Sequence, residues 1–110
     1  VIAVEPKGSP VLSEGHAGPH RIQGIGAGFV PKTLDTSIYN KVVTAVEEDA
    51  YKTAREMGKR EGILVGISSG AALSVAIEEA KKEDNKGKTI VVLLPDTGDR
   101  YFSTPLFKEE

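Results

Sequence analysis

The sequence predicts an α/β fold, a parallel-type sheet with flanking helices, and three observations carry that expectation. Short β-branched or apolar runs alternate with stretches of helical spacing along the 110 residues. One run, Thr89-Ile90-Val91-Val92-Leu93-Leu94, is apolar throughout after its first residue, the pattern of a strand covered on both faces. Turn-forming residues close these runs abruptly, as at Pro95-Asp96-Thr97-Gly98.

Taken in order, Val1 to Val4 is the first apolar run. Glu5-Pro6-Lys7-Gly8-Ser9-Pro10 closes it, so a buried strand leading into a turn is predicted. Glycine and proline then recur from Gly8 to Pro31, and a structureless stretch of that length in a small domain usually has a functional reason. Val42-Val43-Thr44-Ala45-Val46 predicts a second strand. Glu47, Glu48 and Asp49 open a helix, because carboxylates complement its positive N-terminal end. Ala50, Thr53, Ala54 and Met57 share one face of that helix, which is expected to end near Gly62. Beyond the link Ile63-Leu64-Val65, the segment Gly66-Ile67-Ser68-Ser69-Gly70 leads into a second helix reaching about Lys81. Its face of Ala71, Ala72, Val75, Ala76 and Ala80 is small enough for close packing. Lys81 to Lys88 predicts a charged, exposed connection, and Thr89 to Leu94 a central strand. No internal repeat is visible.

A hydrophobic fraction of 39% with 27% charged residues fits one soluble globular unit spanning residues 1–110. The net charge of -2 supplies no long-range attraction to nucleic acid or to anionic membrane surfaces. Cysteine is absent, which excludes disulfides, thiolate zinc sites and a cysteine nucleophile within this chain. His16 and His20 sit in a Gly/Pro-rich stretch instead of at a helical ligand spacing, so no metal site is expected. No apolar run reaches the roughly 20 residues that span a bilayer, and the first residues carry no signal pattern. The chain opens without methionine on a strand-like segment, as expected if a natural N-terminus has been removed.

Parallel sheets place ligands beyond the carboxyl ends of their strands, where loops and helix N-termini converge. Two segments fit that rule: Gly66 to Gly70, and Pro95 to Arg100. For Ser68 and Ser69 the spacing leaves two roles open. One hydroxyl caps the helix by accepting a backbone N–H, or a serine offers its hydroxyl to a buried ligand atom. Gly24-Ile25-Gly26-Ala27-Gly28 lacks the preceding strand and the third-glycine spacing of a dinucleotide fingerprint. Its glycines instead predict positive φ angles or close backbone approach to a ligand. Asp96, Asp99 and Arg100 form either a catalytic cluster or a solvated, locally paired turn, and the latter is the commoner case.

Three long segments, GHAGPHRIQGIGAGFVP from Gly15 to Pro31, EGILVGISSGAA from Glu61 to Ala72 and LPDTGDRYFSTPLF from Leu94 to Phe107, occur in an order that resembles the cysteine synthase (O-acetylserine sulfhydrylase) family. The resemblance covers essentially the whole chain and matches the C-terminal third of that family. It implies the C-terminal part of a two-domain fold-type II enzyme with pyridoxal 5'-phosphate in the cleft between the domains. The implied activity is conversion of O-acetylserine and sulfide to cysteine and acetate by β-replacement, a cytoplasmic step of cysteine and amino-acid biosynthesis. Sister β-replacement enzymes, a cystathionine β-synthase or an O-phosphoserine-dependent enzyme, and a non-catalytic folding or binding module remain the alternatives.

The resemblance also assigns residues. Ser68 matches the position whose hydroxyl bonds the pyridine nitrogen of the cofactor. Pro95 and Asp96 match positions near the pyridine edge, although many relatives carry serine or another small residue where Asp96 stands. Gly24, Ile25 and Gly26 match a loop that faces the bound amino acid. No catalytic residue is expected in this chain, because the family's Schiff-base lysine, substrate-carboxylate loop and phosphate loop lie upstream of Val1; the chain alone is expected to be inactive. The resemblance further implies a homodimer and a partner, serine acetyltransferase, whose C-terminal tail enters the active site.

Overall fold

The computed structural model describes residues 1–107. Strands β1 (Ile2–Pro6) and β2 (Lys41–Ala45) pair in parallel, with Ile2 opposite Lys41 and Pro6 opposite Ala45. A parallel pair needs a long crossover; here it is mostly irregular backbone, interrupted by the four-residue helix α1 (Val11–Glu14). The composition of Gly8 to Pro31 gives no hint of α1. It exists because the buried Glu5 carboxylate reaches its first turn and accepts from the Leu12 N–H at 2.7 Å, the Ser13 N–H at 2.9 Å and the Ser13 hydroxyl at 2.6 Å. That arrangement places negative charge at a helix start, where it is favoured.

Helix α2 (Glu47–Glu61) begins on the three carboxylates Glu47, Glu48 and Asp49, ends on Lys59 and Arg60, and stops at Gly62 in the left-handed conformation (φ 71). Both ends therefore agree with the dipole and with glycine's role as a terminator. Ala50, Tyr51 and Ala54 are buried. Helix α3 (Ile67–Ala80) lies against α2. The contact is tightest at Gly70, where an added Cβ would come within 2.1 Å of the Ala50 carbonyl oxygen and 2.9 Å of the Ala54 Cβ. The core face of α3 thus centres on Gly70, Ala71 and Val75; Ala72 and Ala76 are half-buried, and Ala80 is exposed.

Thr89–Leu94, expected to be a central strand, is neither strand nor helix. Among the described residues the one sheet is β1–β2, so no ladder receives its N–H and C=O groups. Its side chains still alternate as in a strand: Val92 and Leu94 are half-buried, whereas Val91 is 89% and Leu93 79% exposed. The unbroken apolar run reports a tendency to be covered on both faces, and within the described residues only one face is covered. The chain returns to the core just beyond. Val65 and Thr97 form an antiparallel bridge, the Gly66 N–H donates to the Asp96 carbonyl at 3.2 Å, and the Gly98 N–H donates to the Leu64 carbonyl at 3.2 Å. Short 3-10 turns at Gly98–Tyr101 and Pro105–Phe107 finish the described chain. Arg55 of α2 holds the second of these by donating to the carbonyls of Pro105 and Leu106. Among the described residues no helix is long and apolar enough to cross a membrane.

Candidate functional site

The start of α3 separates the two roles left open for its serines. Its N-cap is Gly66, with no side-chain cap hydrogen bond, so neither serine caps the helix. Ser69 is fully buried and points to the 96 turn: its hydroxyl donates to Asp96 Oδ1 at 2.8 Å, and its oxygen accepts from the Asp96 N–H at 3.3 Å. Ser68 is 6% exposed, and among the described residues nothing bonds its hydroxyl; as no fully buried side-chain polar atom there lacks a partner, the small exposed area of Ser68 includes that oxygen. A hydroxyl that reaches the surface from an otherwise buried residue, with no protein partner, is placed to meet a ligand atom.

The glycine loop comes to the same place. Gly24, Gly26 and Gly28 all adopt positive φ (101, 65 and 90), as the sequence leads one to expect. A Cβ on Gly24 would lie 3.3 Å from the Ser68 hydroxyl, so this glycine brings the loop backbone directly beside it. Ile25 is half-buried and packs against the core. Gly26 is clamped: a Cβ there would meet Pro6 Cγ at 2.5 Å and His20 Nε2 at 2.6 Å. His20, weighed from sequence only as a metal ligand, fastens this loop instead. Its Nδ1 accepts from the Ile22 N–H at 3.1 Å, which leaves Nε2 as the protonated nitrogen, and Nε2 donates to the Gly26 carbonyl at 2.8 Å. A second fastening joins the loop to α2. Glu47 accepts from the Arg21 N–H at 2.7 Å and from Arg21 Nε at 3.0 Å, and the Tyr51 hydroxyl donates to the Arg21 carbonyl at 3.1 Å.

Asp96 follows the paired alternative. Its second oxygen accepts from the Tyr101 hydroxyl, a bond that pushes the phenol up to about 12 because it favours the protonated form. Pro95 is exposed beside it, and Asp99 and Arg100 are exposed. The structure therefore groups Gly24 with Ser68, and Asp96 with Ser69 and Tyr101. Sequence reasoning weighed Ser69 only as a cap or a ligand hydroxyl and His20 only as a metal ligand, and it missed Tyr101. Ser69 and Asp96 are 27 residues apart, and no local pattern links them.

Two grooves stand out among the described residues. One, of ≈ 490 Å³, follows the glycine loop and is lined by Gly24, Ile25 and Gly26 together with Val4, Leu12 and Leu34. The larger, of ≈ 710 Å³, lies between α2 and α3 against Met57, Leu73 and Ile77 and touches none of Ser68, Gly24 or Asp96. Size favours the second, but the first contains the glycine backbone, and its Gly24 lies beside the Ser68 hydroxyl, although Ser68 itself lines neither groove. Among the described residues no His, Asp and Glu cluster is arranged to hold a metal ion.

Comparison with known proteins places this arrangement in context. Residues 1–96 match the family described as pyridoxal-phosphate dependent enzyme. A cysteine synthase of Staphylococcus aureus (strain Mu50) is 53% identical over 107 residues, covering 97% of this chain and 34% of the relative. The crystal structure of a cysteine synthase from Entamoeba histolytica superposes with a TM-score of 0.95 at 46% identity, covering all of this chain and 33% of the other. An O-acetylserine dependent cystathionine β-synthase from Helicobacter pylori superposes at 0.83 with 38% identity, over 97% of this chain and 34% of that one. The chain spans about a third of the length of the relatives it matches. It belongs to the pyridoxal-phosphate dependent enzyme family, as a fold-type II member similar to part of the cysteine synthases.

Proposed function

We propose that this chain supplies the ring edge of the cofactor site and part of the substrate wall of a cysteine synthase, which converts O-acetylserine and sulfide to cysteine and acetate. The observation that carries the proposal is the accessible hydroxyl of the otherwise buried Ser68, without a partner among the described residues and set beside the backbone of Gly24. The residues fit pyridoxal 5'-phosphate, the cofactor that the family implies. Ser68 offers a neutral hydroxyl to the ring nitrogen, Pro95 and Asp96 border that edge, and Gly24, Ile25 and Gly26 face the amino-acid substrate. When bound, the cofactor supplies the electron sink for loss of the β-substituent.

A serine suits this chemistry because it is too weak an acid to keep a pyridine nitrogen protonated. An aspartate in its place would make the ring a stronger sink than loss of acetate needs, and would favour side reactions such as transamination. Glycines in the facing loop let the backbone approach the substrate and carry no side chain into its path.

The remaining proposals concern the longer protein. It is a cytoplasmic homodimer, its Schiff-base lysine lies outside these 110 residues, and the C-terminal tail of serine acetyltransferase is a binding partner. The exposed faces of Val91 and Leu93 are covered there by further sheet.

The test supplies the full-length enzyme with O-acetylserine and sulfide and measures cysteine and acetate in equal amounts. Absence of sulfide-dependent cysteine formation would overturn the proposal. Similarity to the Helicobacter pylori enzyme favours one second reading, a sister enzyme with a thiol acceptor larger than sulfide. Homocysteine in place of sulfide discriminates, because a cystathionine β-synthase turns it over faster than sulfide. Replacing O-acetylserine by O-phosphoserine tests the choice of leaving group. Mixed with pyridoxal phosphate, the 110-residue chain alone is expected to develop no absorbance of lysine-bound cofactor.

A further inference from the structure

We infer that Asp96 is a positioning residue for Ser68: together with Ser69 and Tyr101 it braces the start of α3, and its carboxylate is not itself a ligand of the cofactor ring. The inference rests on the proposed role of Ser68. Both carboxylate oxygens of Asp96 are engaged, Oδ1 by the Ser69 hydroxyl at 2.8 Å and Oδ2 by the Tyr101 hydroxyl. The two donors are themselves enclosed, Ser69 at 0% and Tyr101 at 7% exposure.

Three further contacts fix the helix start against this carboxylate. The Gly66 N–H donates to the Asp96 carbonyl at 3.2 Å, Val65 bridges Thr97, and a Cβ on Gly66 would fall 2.2 Å from Asp96 Oδ1. The N-cap residue and the third residue of α3 are therefore both held by the 96 turn, with Ser68 between them. Adjacent side chains on a helix diverge by about 100°. Anchoring Ser69 to Asp96 consequently fixes the direction of the Ser68 hydroxyl, which is left beside Gly24.

The same engagement would let a carboxylate stand at the ring edge proposed for this site. A free aspartate would pair with a protonated pyridine, whereas this one has its charge taken up by two hydroxyl donors. Tyr101 carries the counterpart of that interaction in the upward displacement of its phenol. A serine at position 69 is thus used for its donor hydroxyl, and a serine at 68 for the hydroxyl that remains open.

A double-mutant cycle on the full-length enzyme tests the inference, with the dissociation constant of pyridoxal phosphate and the tyrosine titration as readouts. Ser68→Ala alone is expected to weaken cofactor binding by roughly ten- to a hundredfold. Asp96→Asn alone is expected to weaken it to a similar degree, yet to add less than about twofold on the Ser68→Ala background, since it acts through the hydroxyl already removed. Tyr101→Phe, a milder change should Asp96→Asn fold poorly, is expected to show the same coupling with a smaller loss. Asp96→Asn is also expected to bring one tyrosine titration down from about 12 toward the ordinary phenol value. Additive losses in the cycle would overturn the inference, because Asp96 would then act on the cofactor directly. An unmoved tyrosine titration in Asp96→Asn would overturn it as well. If Ser68→Ala binds the cofactor like wild type, the role of Ser68 falls and the inference with it. That failure shows already in the single variant, whereas failure of the inference alone shows only in the cycle.

Discussion

The two ends of α3 bury polar side chains to the same degree and leave them in opposite states. At the C-terminal end Glu79, 5% exposed, accepts from Lys41 Nζ at 2.9 and 3.0 Å, from Lys82 Nζ at 2.8 Å and from Asn85 Nδ2 at 3.2 Å. Every donor is local protein, and the result is a fastening between the start of β2, the end of α3 and the turn beyond it. At the N-terminal end Ser68, 6% exposed, has no partner among the described residues, while its neighbour Ser69 is fully occupied by Asp96. Burial alone does not mark a functional group. A hydroxyl without a protein partner at the exposed edge of an otherwise buried residue does, because it stays accessible and free to bond a ligand.

The strongest way to break this comparison is to detach both ends at once. Gly70 sits where α3 touches α2, and a methyl group there would strike the Ala50 carbonyl oxygen, a backbone atom with little freedom to move. Gly70→Ala is expected to cost about 2 kcal/mol or more in urea denaturation of the full-length protein. A loss of less than about 1 kcal/mol would mean that the helices part easily and that neither end depends on their contact.

The two serines give the next largest effect, split between two measurements. Ser68→Ala removes a hydroxyl that bonds nothing in the described protein, so stability should stay within about 0.5 kcal/mol of wild type. Cofactor affinity should fall by roughly ten- to a hundredfold, because the ring nitrogen loses its partner. Ser69→Ala should do the reverse in its first effect, costing about 1 to 3 kcal/mol of stability by stranding an Asp96 oxygen. Equal stability losses for the two variants would erase the distinction between an open and an occupied hydroxyl.

Much of this was legible in the sequence, and the parts that were not share a cause. Local signals served well: three carboxylates and Gly62 bound α2 as expected, Ser68 stands in the first turn of α3, and the glycines of the 24–28 loop take positive φ. Each depends on neighbours a few residues away. Thr89–Leu94 failed because a strand is defined by its pairing partner, and a run of apolar residues records only a tendency to be covered. The helix-cap reading of the serines failed for a related reason. Ser69 has a better acceptor in Asp96, brought in by the Val65–Thr97 bridge, and chain separation hides that competition. His20 was equally opaque, since its two ring nitrogens are committed by loop geometry that spacing does not encode.

At the other end of α3 the expected effect is a change in pH dependence. Hydrogen bonds from Lys82 and Lys41 lower the Glu79 carboxyl from its usual 4.5 to about 2. A carboxylate held more acidic in the folded state stabilises the fold above its unfolded value, and that contribution disappears as pH falls through the folded value. Glu79 should therefore add a downward slope of stability between about pH 4.5 and about pH 2. Glu79→Gln should flatten this slope and lower stability at neutral pH, with cofactor affinity unchanged. Denaturation measured at several acid pH values checks it, and a variant that retains the wild-type slope would show that Glu79 is no fastening.

The smallest effect belongs to a pair that looks like Glu79–Lys82 but lacks its surroundings. Arg60 Nε donates to Glu56 at 2.9 Å across one turn of α2, with the side chains 79% and 41% exposed. The Glu56 carboxyl is lowered, first by the hydrogen bond from Arg60, so the attraction itself is present. Water and salt screen it, however, and holding two long side chains together costs entropy that offsets most of the gain. Arg60→Ala should leave urea denaturation unchanged within error and insensitive to added salt, and its acid slope should match wild type. A loss as large as that of Glu79→Gln would show that close opposite charges suffice by themselves. It would remove the argument that enclosure and a full set of donors, not ion pairing as such, make the Glu79 end of α3 structural.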